Sequence, residues 1–283
     1  MTSECKAQLS LSPLVFEMAD LNSTAVSGKR SLRARLADLL GPGLRRAVAV
    51  RLSARSLRAA RGRCRSVSDL CRLTFEWRGY GGCWSIRSLQ DITEMVPFFE
   101  AVKARQPRVC MEIGTCHGGT LFTLMALAPD DAHIISVDLP GGIHGGGSTD
   151  IHAEMFRAAF PTGQQRLDLI RDDSHQVATR DQARTLLAGK QLDYLFIDGD
   201  HRYEGVKKDF LLYASLVRPG GMIAFHDISD QTQTGVEVNR LWAEIKPLIP
   251  TTEYLNPAKN SGLLVAGIGV IPSWEPKVLE AFE

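Results

Sequence analysis

Two short runs near the middle of the chain carry the residue types that do chemistry. They are Phe196-Ile197-Asp198-Gly199-Asp200-His201 and Ile223-Ala224-Phe225-His226-Asp227. Each is an apolar stretch with strand character that ends abruptly in carboxylates and an imidazole. In an open parallel sheet the carboxyl ends of the strands line the ligand crevice. Neighbouring strands ending this way would gather four or five acidic or imidazole groups around one small volume. Such crowding is costly unless a cation, a proton or a polar ligand offsets it.

The elements that must position these groups follow a regular rhythm from Ser88 onward. Apolar runs at 109–113, 134–137, 167–170, 194–197 and 222–225 read as strands. Helical stretches at 118–128, 151–160, 176–188 and 203–216 separate them. Such alternation implies right-handed crossovers and a parallel sheet covered on both faces. A further helix is expected over 235–247, then a terminal hairpin from 252–255 and 263–271 around a turn-rich linker. The expected fold class is α/β, a Rossmann-like, doubly wound sheet of seven strands, mostly parallel with a C-terminal antiparallel hairpin. No internal repeat is visible.

A second group of candidates lies on the first two strands. Val109-Cys110-Met111-Glu112-Ile113-Gly114-Thr115-Cys116-His117-Gly118-Gly119-Thr120 reads as strand, tight turn and helix start. Gly114 permits a backbone turn that a side chain would block, and Gly118-Gly119 would let a ligand approach closely. The spacing is neither that of dinucleotide folds nor that of a phosphate loop. Asp138, ending the next strand, could accept hydrogen bonds from both ribose hydroxyls. Asp173 and Ser174, after the third strand, suit an adenine edge; ordinary capping roles are the alternative for Asp138 and Asp173.

Composition sets the outer bounds. With 283 residues, 44% hydrophobic and 23% charged, the chain suits one large α/β domain with an appendage. Residues 29–72 hold 13 Lys/Arg against two acids, whereas 73–283 carry an excess of about eight acids. The expected division is a basic, helical N-terminal segment, 1–75, and a second domain, 76–283. Leu32, Leu36, Leu39 and Leu40 share one helical face before Gly41-Pro42-Gly43, and a basic helix should follow over 44–60. These helices could pack on the domain, join two copies of the chain or meet an anionic surface. Six cysteines without C-x-x-C pairing are expected to be reduced thiols of a cytoplasmic protein. No apolar run approaches 18 residues, and the N-terminus lacks a signal-peptide pattern.

With these residues in place, the stretch from Ser88 to Ile271 resembles the class I S-adenosylmethionine-dependent methyltransferases. It is most similar to the small-molecule O-methyltransferases that bind a divalent metal. Glu112-Ile113-Gly114-x-x-x-Gly118-x-Thr120 matches that branch's first motif, and Asp198-Gly199-Asp200-His201 looks like its metal and base motif. Catechol and caffeoyl-CoA O-methyltransferases carry Lys where this chain has His201. A histidine there is similar to the macrolide-sugar O-methyltransferases and the cephalosporin hydroxylase-type family. Gly220-Gly221-x-Ile223-x-x-His226-Asp227 resembles the following strand, with His226 departing from the usual Asp.

The resemblance implies S-adenosylmethionine as cofactor, held by Glu112, Gly114, Thr115, Gly118, Thr120, Asp138, Asp173, Ser174, Asp198 and Asp200. It implies Mg²⁺ or Mn²⁺ on Asp198, Asp227 and His226, hard ligands apart from the imidazole. His201 is then the general base for a hydroxyl of a small metabolite. A metal-free site, with the carboxylates on the cofactor's amino group, is the alternative. Asp200 would face the cofactor or orient His201. The glycine-rich run 140–148 could close over substrate, and Trp77, Tyr80 and Trp84 could form an apolar lid or pack in the core. Self-association through the N-terminal helices is expected. RNA as substrate is disfavoured by the acidic domain and by the absence of an Asn/Asp-Pro-Pro-Tyr motif. A cofactor-binding accessory protein without turnover is the non-enzymatic alternative.

Overall fold

The computed structural model describes residues 41–81, 83, 85–141, 147–229, 235–256 and 267–282. Seven strands form one sheet: β1 (Val109–Ile113), β2 (His133–Val137), β3 (Arg166–Ile170), β4 (Leu192–Ile197), β5 (Val217–His226), β6 (Thr252–Tyr254) and β7 (Ile268–Ile271). Their spatial order is β3-β2-β1-β4-β5-β7-β6. The first five run parallel, while β7 pairs antiparallel with both β5 and β6. The α/β reading and the antiparallel C-terminal pair are thus as expected. Residues 257–262 of the expected linker 256–262 and 263–266 of the expected second strand lie outside the described residues, as does the predicted helix before Gly41.

Register decides where the chemistry falls. Ile113 pairs with Val137 and Ile197, Val137 with Ile170, and Ile197 with Phe225. One row therefore crosses five strands at the same height. The next residue on each strand is Gly114, Asp138, Arg171, Asp198 and His226. Adjacent strands lie about 4.8 Å apart, so these groups share one edge of the sheet.

The helices are α1 (Pro42–Arg61), α2 (Val67–Glu76), α3 (Ile92–Arg105), α4 (Gly119–Leu127), α5 (Asp150–Ala159), α6 (Val177–Leu187), α7 (Tyr203–Tyr213) and α8 (Val238–Ile245). Alternation along the strands splits the core in two. Cys110, Ile134, Tyr194, Phe196 and Ala224 face a cluster with Val50, Leu57, Leu70, Phe98, Phe122 and Phe156 from α1 to α5. Met111, Ile135, Leu195, Ile223 and Phe225 face α6 to α8 through Leu187, Phe210, Leu241 and Trp242. Each fully buried Phe or Leu stabilises by about 1.5–3 kcal/mol.

Helices α2 and α3 were not anticipated, although both carry their signals. Ser66 caps α2 reciprocally with Asp69, and Val67, Leu70, Cys71 and Thr74 form its buried stripe. Asp91 caps α3, whose Met95, Phe98, Phe99 and Val102 are buried, with Pro97 interrupting the pattern. The basic helix α1 spends its apolar side within the chain. Its Arg61 guanidinium donates to the carbonyls of Phe160 (2.8 Å) and Met125 (3.2 Å), and Arg46 pairs with Glu154 on α5. Trp77 belongs to this packing rather than to a lid: it is 6% exposed and its Nε1 donates to Ser56 on α1. Trp84 and residues 142–146 of the glycine-rich run lie outside the described residues. No described helix is long and apolar enough to cross a membrane.

Candidate active site

The ends of β4 and β5 converge. Ligand atoms of Asp198, His201 and Asp227 all lie within 4.8 Å of one another. His201 Nδ1 is 2.8 Å from Asp227 Oδ2, and its Nε2 is 3.5 Å from Asp198 Oδ1. Asp227 reaches inward because its backbone adopts φ +61, a left-handed conformation that costs an L-residue about 1–2 kcal/mol.

His226, expected as a further ligand, is not one of the three residues of that group. Its Nδ1 hydrogen-bonds Asp198 Oδ1 (3.1 Å) and lies 3.4 Å from Asp227 Oδ1. Its Nε2 is buried without a hydrogen bond among the described residues. Asp200 accepts from the backbone N–H and guanidinium of Arg202.

The electrostatics follow from burial opposed by pairing. Burial disfavours charge on Asp198, yet the His226 and His201 imidazoles beside it hold its carboxyl down to about 2. Burial also opposes charge on His201, but Asp198 and Asp227 more than offset this and raise it to about 10. His226 rises to about 9 against the same burial, through Asp198 and then Asp227. Two imidazolium charges thus balance two carboxylates, the compensation that such crowding requires.

On the first strands, Asp138 is 6% exposed and fully engaged. Its Oδ1 accepts from Thr115 N (2.9 Å) and Cys116 N (3.1 Å), its Oδ2 from Ser148 N (2.6 Å). It therefore ties the Gly114 turn to the chain following β2. Thr115 is buried and its hydroxyl meets that of Ser136 at 2.6 Å. Gly114 takes φ +85, as the tight turn requires. Gly118 and Gly119 also lie close to other parts of the protein. A Cβ at Gly118 would strike the Phe156 ring at 2.6 Å, and one at Gly119 would lie 2.2 Å from Ser88 Oγ. Asp173 accepts from His175 N and Gln176 Nε2, and the Ser174 carbonyl accepts from Tyr213 Oη (3.0 Å).

Glu112 and Thr120 are both buried beneath the turn. Burial first, with the Asp198 charge adding and the Thr120 hydroxyl opposing, pushes the Glu112 carboxyl up to about 8. A folded-state value above the unfolded value of 4.5 means that the native protein holds the proton more tightly. The associated stability is complete below about pH 4.5 and is lost as pH rises through about 8. Glu112→Gln removes this dependence. The stability of wild type relative to the variant is expected to fall by up to about 1.4 kcal/mol per pH unit across that window. Urea unfolding at pH 5, 6.5 and 8 measures it, and a pH-independent difference refutes the buried neutral carboxyl.

One contributor was missed altogether. Gln90, just ahead of α3, is 5% exposed and donates from Nε2 to Asp198 Oδ2 at 2.6 Å. No spacing or motif marks a lone Gln 108 residues away.

Residues 111–228 match the family model described as a methyltransferase domain. The chain is 34% identical over 139 residues to the uncharacterised protein R132 of Acanthamoeba polyphaga mimivirus, covering 48% of this chain and 60% of that protein. It is 27% identical over 157 residues to the uncharacterised protein y4gI of Sinorhizobium fredii, covering 54% of this chain but only 16% of that one. The chain thus spans less than two thirds of both relatives. Among solved structures, an O-methyltransferase from Bacillus cereus bound to SAH aligns with TM-score 0.44 and 16% identity, over 62% of this chain and 78% of that one. The MycE methyltransferase of mycinamycin biosynthesis, with Mg, SAH and mycinamycin VI, aligns with TM-score 0.47 and 15% identity, over 75% and 55%. The matched residues 111–228 run from within β1 to just past β5 and include the acidic ends that line their shared edge, so this stretch of the chain is similar to a methyltransferase domain.

Proposed function

We propose that the protein is an O-methyltransferase that methylates a hydroxyl of a small metabolite, a glycoside or other natural product, with a divalent cation at the β4–β5 edge. The observation that carries this reading is the convergence of Asp198, His201 and Asp227 within 4.8 Å. The donor set fits a cation: two carboxylates and an imidazole, with Asp227 Oδ1 buried and lacking a hydrogen bond among the described residues. Asp198 and Asp227 would hold Mg²⁺ or Mn²⁺, which when bound lowers the pKa of a coordinated hydroxyl and orients it. S-adenosylmethionine, when bound, supplies an electrophilic methyl on a sulfonium.

The chain's own residues do the rest. Asp227 Oδ2 accepts from His201 Nδ1 and fixes the ring, whose Nε2 lies 3.5 Å from Asp198 Oδ1. A cation on Asp198 and Asp227 would weaken the pairing that keeps His201 protonated, and the Nε2 of the neutral ring would then take the proton of the acceptor hydroxyl as its oxygen bonds to the methyl carbon. The electron pair of the breaking carbon–sulfur bond stays on sulfur. His226 Nδ1 holds Asp198 Oδ1 at 3.1 Å and adds a positive charge 3.4 Å from Asp227 Oδ1. The Gly114 turn, pinned by Asp138, and the loop after β3 supply the cofactor side. Alignment of acceptor and methyl donor accounts for about 7–11 kcal/mol of barrier reduction in such displacements.

The test is calorimetry with S-adenosylmethionine, followed by methyl transfer to a panel of glycosides and phenols. Turnover is expected to vanish with a chelator and to return with added Mg²⁺ or Mn²⁺. Full turnover in chelator overturns the cation's role, and no cofactor binding overturns the reading as a whole.

A further inference from the structure

We infer that Gln90, contributed by the strap that precedes α3 and lies outside the matched domain, is the positioning residue for the cation-binding carboxylate. This deepens the function proposed above and rests on it. The two oxygens of Asp198 have separate employment. Oδ1 faces His201 at 3.5 Å and His226 at 3.1 Å, whereas Oδ2 accepts from Gln90 Nε2 at 2.6 Å. A carboxylate free to rotate about χ2 would present either oxygen to the cleft. The amide holds one oxygen on the protein side and leaves the other for the ion. Outer partners of this kind orient metal ligands, and their loss typically costs 10–100-fold in affinity.

The strap is built to deliver this one side chain. Ser88 Oγ meets Thr74 Oγ1 on α2 at 3.2 Å, and both are buried. The glycine at 119 leaves room for the strap, because a Cβ there would lie 2.7 Å from the Ile86 carbonyl and 2.6 Å from Ser88 N. On the far side of Gln90, Asp91 caps α3 through Thr93 N (2.7 Å) and holds the Asn256 amide (3.0 Å). Glu94, one turn on, accepts from Asn256 N (3.0 Å). Gln90 is thus fixed from both directions, and its Oε1 is buried with no hydrogen bond among the described residues. A residue wanted only for packing would not carry an amide with one end unsatisfied; such a group costs about 1–3 kcal/mol. The contact to Asp198 is what the amide achieves.

The experiment titrates Mn²⁺ into the full chain without cofactor or acceptor, by calorimetry and by the Mn²⁺ electron paramagnetic resonance signal. Gln90→Met keeps length and packing without a donor, and Gln90→Asn keeps the amide but withdraws it by one carbon. Both variants are expected to bind Mn²⁺ 10–100-fold more weakly than wild type and to alter the bound-ion spectrum, with metal-free Tm nearly unchanged. Wild-type affinity in either folded variant overturns the role of Gln90 while leaving the cation site standing. Absence of Mn²⁺ binding by wild type itself overturns the cation site and, with it, this inference.

Discussion

His201→Ala is expected to lower kcat by two to four orders of magnitude, the usual contribution of a positioned acid–base group. The substitution removes the ring that lies between Asp227 Oδ2 and Asp198 Oδ1 and leaves the row of strand ends untouched. Cofactor affinity should therefore change by less than a few fold, because the Gly114 turn and Asp138 lie on the other side of β4. The loss should fall on kcat and kcat/KM alike, the mark of an interaction made in the transition state. Asp227→Asn offers a graded comparison: the ring remains but loses the acceptor that fixes its tautomer. Single-turnover transfer from labelled S-adenosylmethionine to a responsive acceptor measures both variants. A His201→Ala rate within threefold of wild type removes the imidazole from the proton's path.

Much of this site was legible because the rules that place it are local. An apolar run ending in Asp198 or in His226-Asp227 is a strand end wherever a parallel sheet forms, and the βαβ rhythm puts consecutive strands side by side. The pairings Ile113–Val137, Ile113–Ile197 and Ile197–Phe225 then bring Asp138, Asp198 and His226 to one height. What stayed hidden depends on which way a side chain turns after its strand ends. His226 and Asp227 are adjacent in sequence, yet the positive φ at Asp227 sends its carboxylate toward His201 while His226 stays between the acids. No spacing encodes that rotation. Gly118 and Gly119 carry a related ambiguity. A glycine announces a close approach without naming the partner, and here the partners are Phe156 and the strap at Ser88. Gln90 escaped because an amide is an ordinary surface residue until long-range packing buries it against Asp198. Helices α2 and α3 escaped despite a capping box and buried stripes, since attention fell on basic charge and on the strand rhythm that begins later.

Gly114→Ala is the substitution expected to do most damage to the fold and the site together. Two costs add at this position. The backbone sits at φ +85, which a side chain makes unfavourable by about 1–3 kcal/mol. The new methyl would also lie 1.9 Å from the Asp198 carbonyl oxygen and 2.8 Å from Gly199 N, backbone atoms that cannot swing aside. Relief requires β1 and β4 to part at the row where Asp198 N donates to the Ile113 carbonyl (2.8 Å) and Gly114 N to the Val137 carbonyl (2.9 Å). Overpacking of this sort adds about 1–3 kcal/mol, so the total is roughly 2–6 kcal/mol. At about 2–4 °C per kcal/mol for a chain of this size, Tm should fall by roughly 5–20 °C. Gly141→Ala is the matched control: its φ is +72, but no atom lies within 4 Å of the added methyl, so it incurs the conformational cost alone. The difference between the two melting shifts isolates the collision between β1 and β4, and it should be accompanied by weaker Mn²⁺ binding as Asp198 is displaced. Equal shifts for the two variants would mean that the ends of β1 and β4 are not pressed together, and the shared edge on which the chemistry depends would be lost with them.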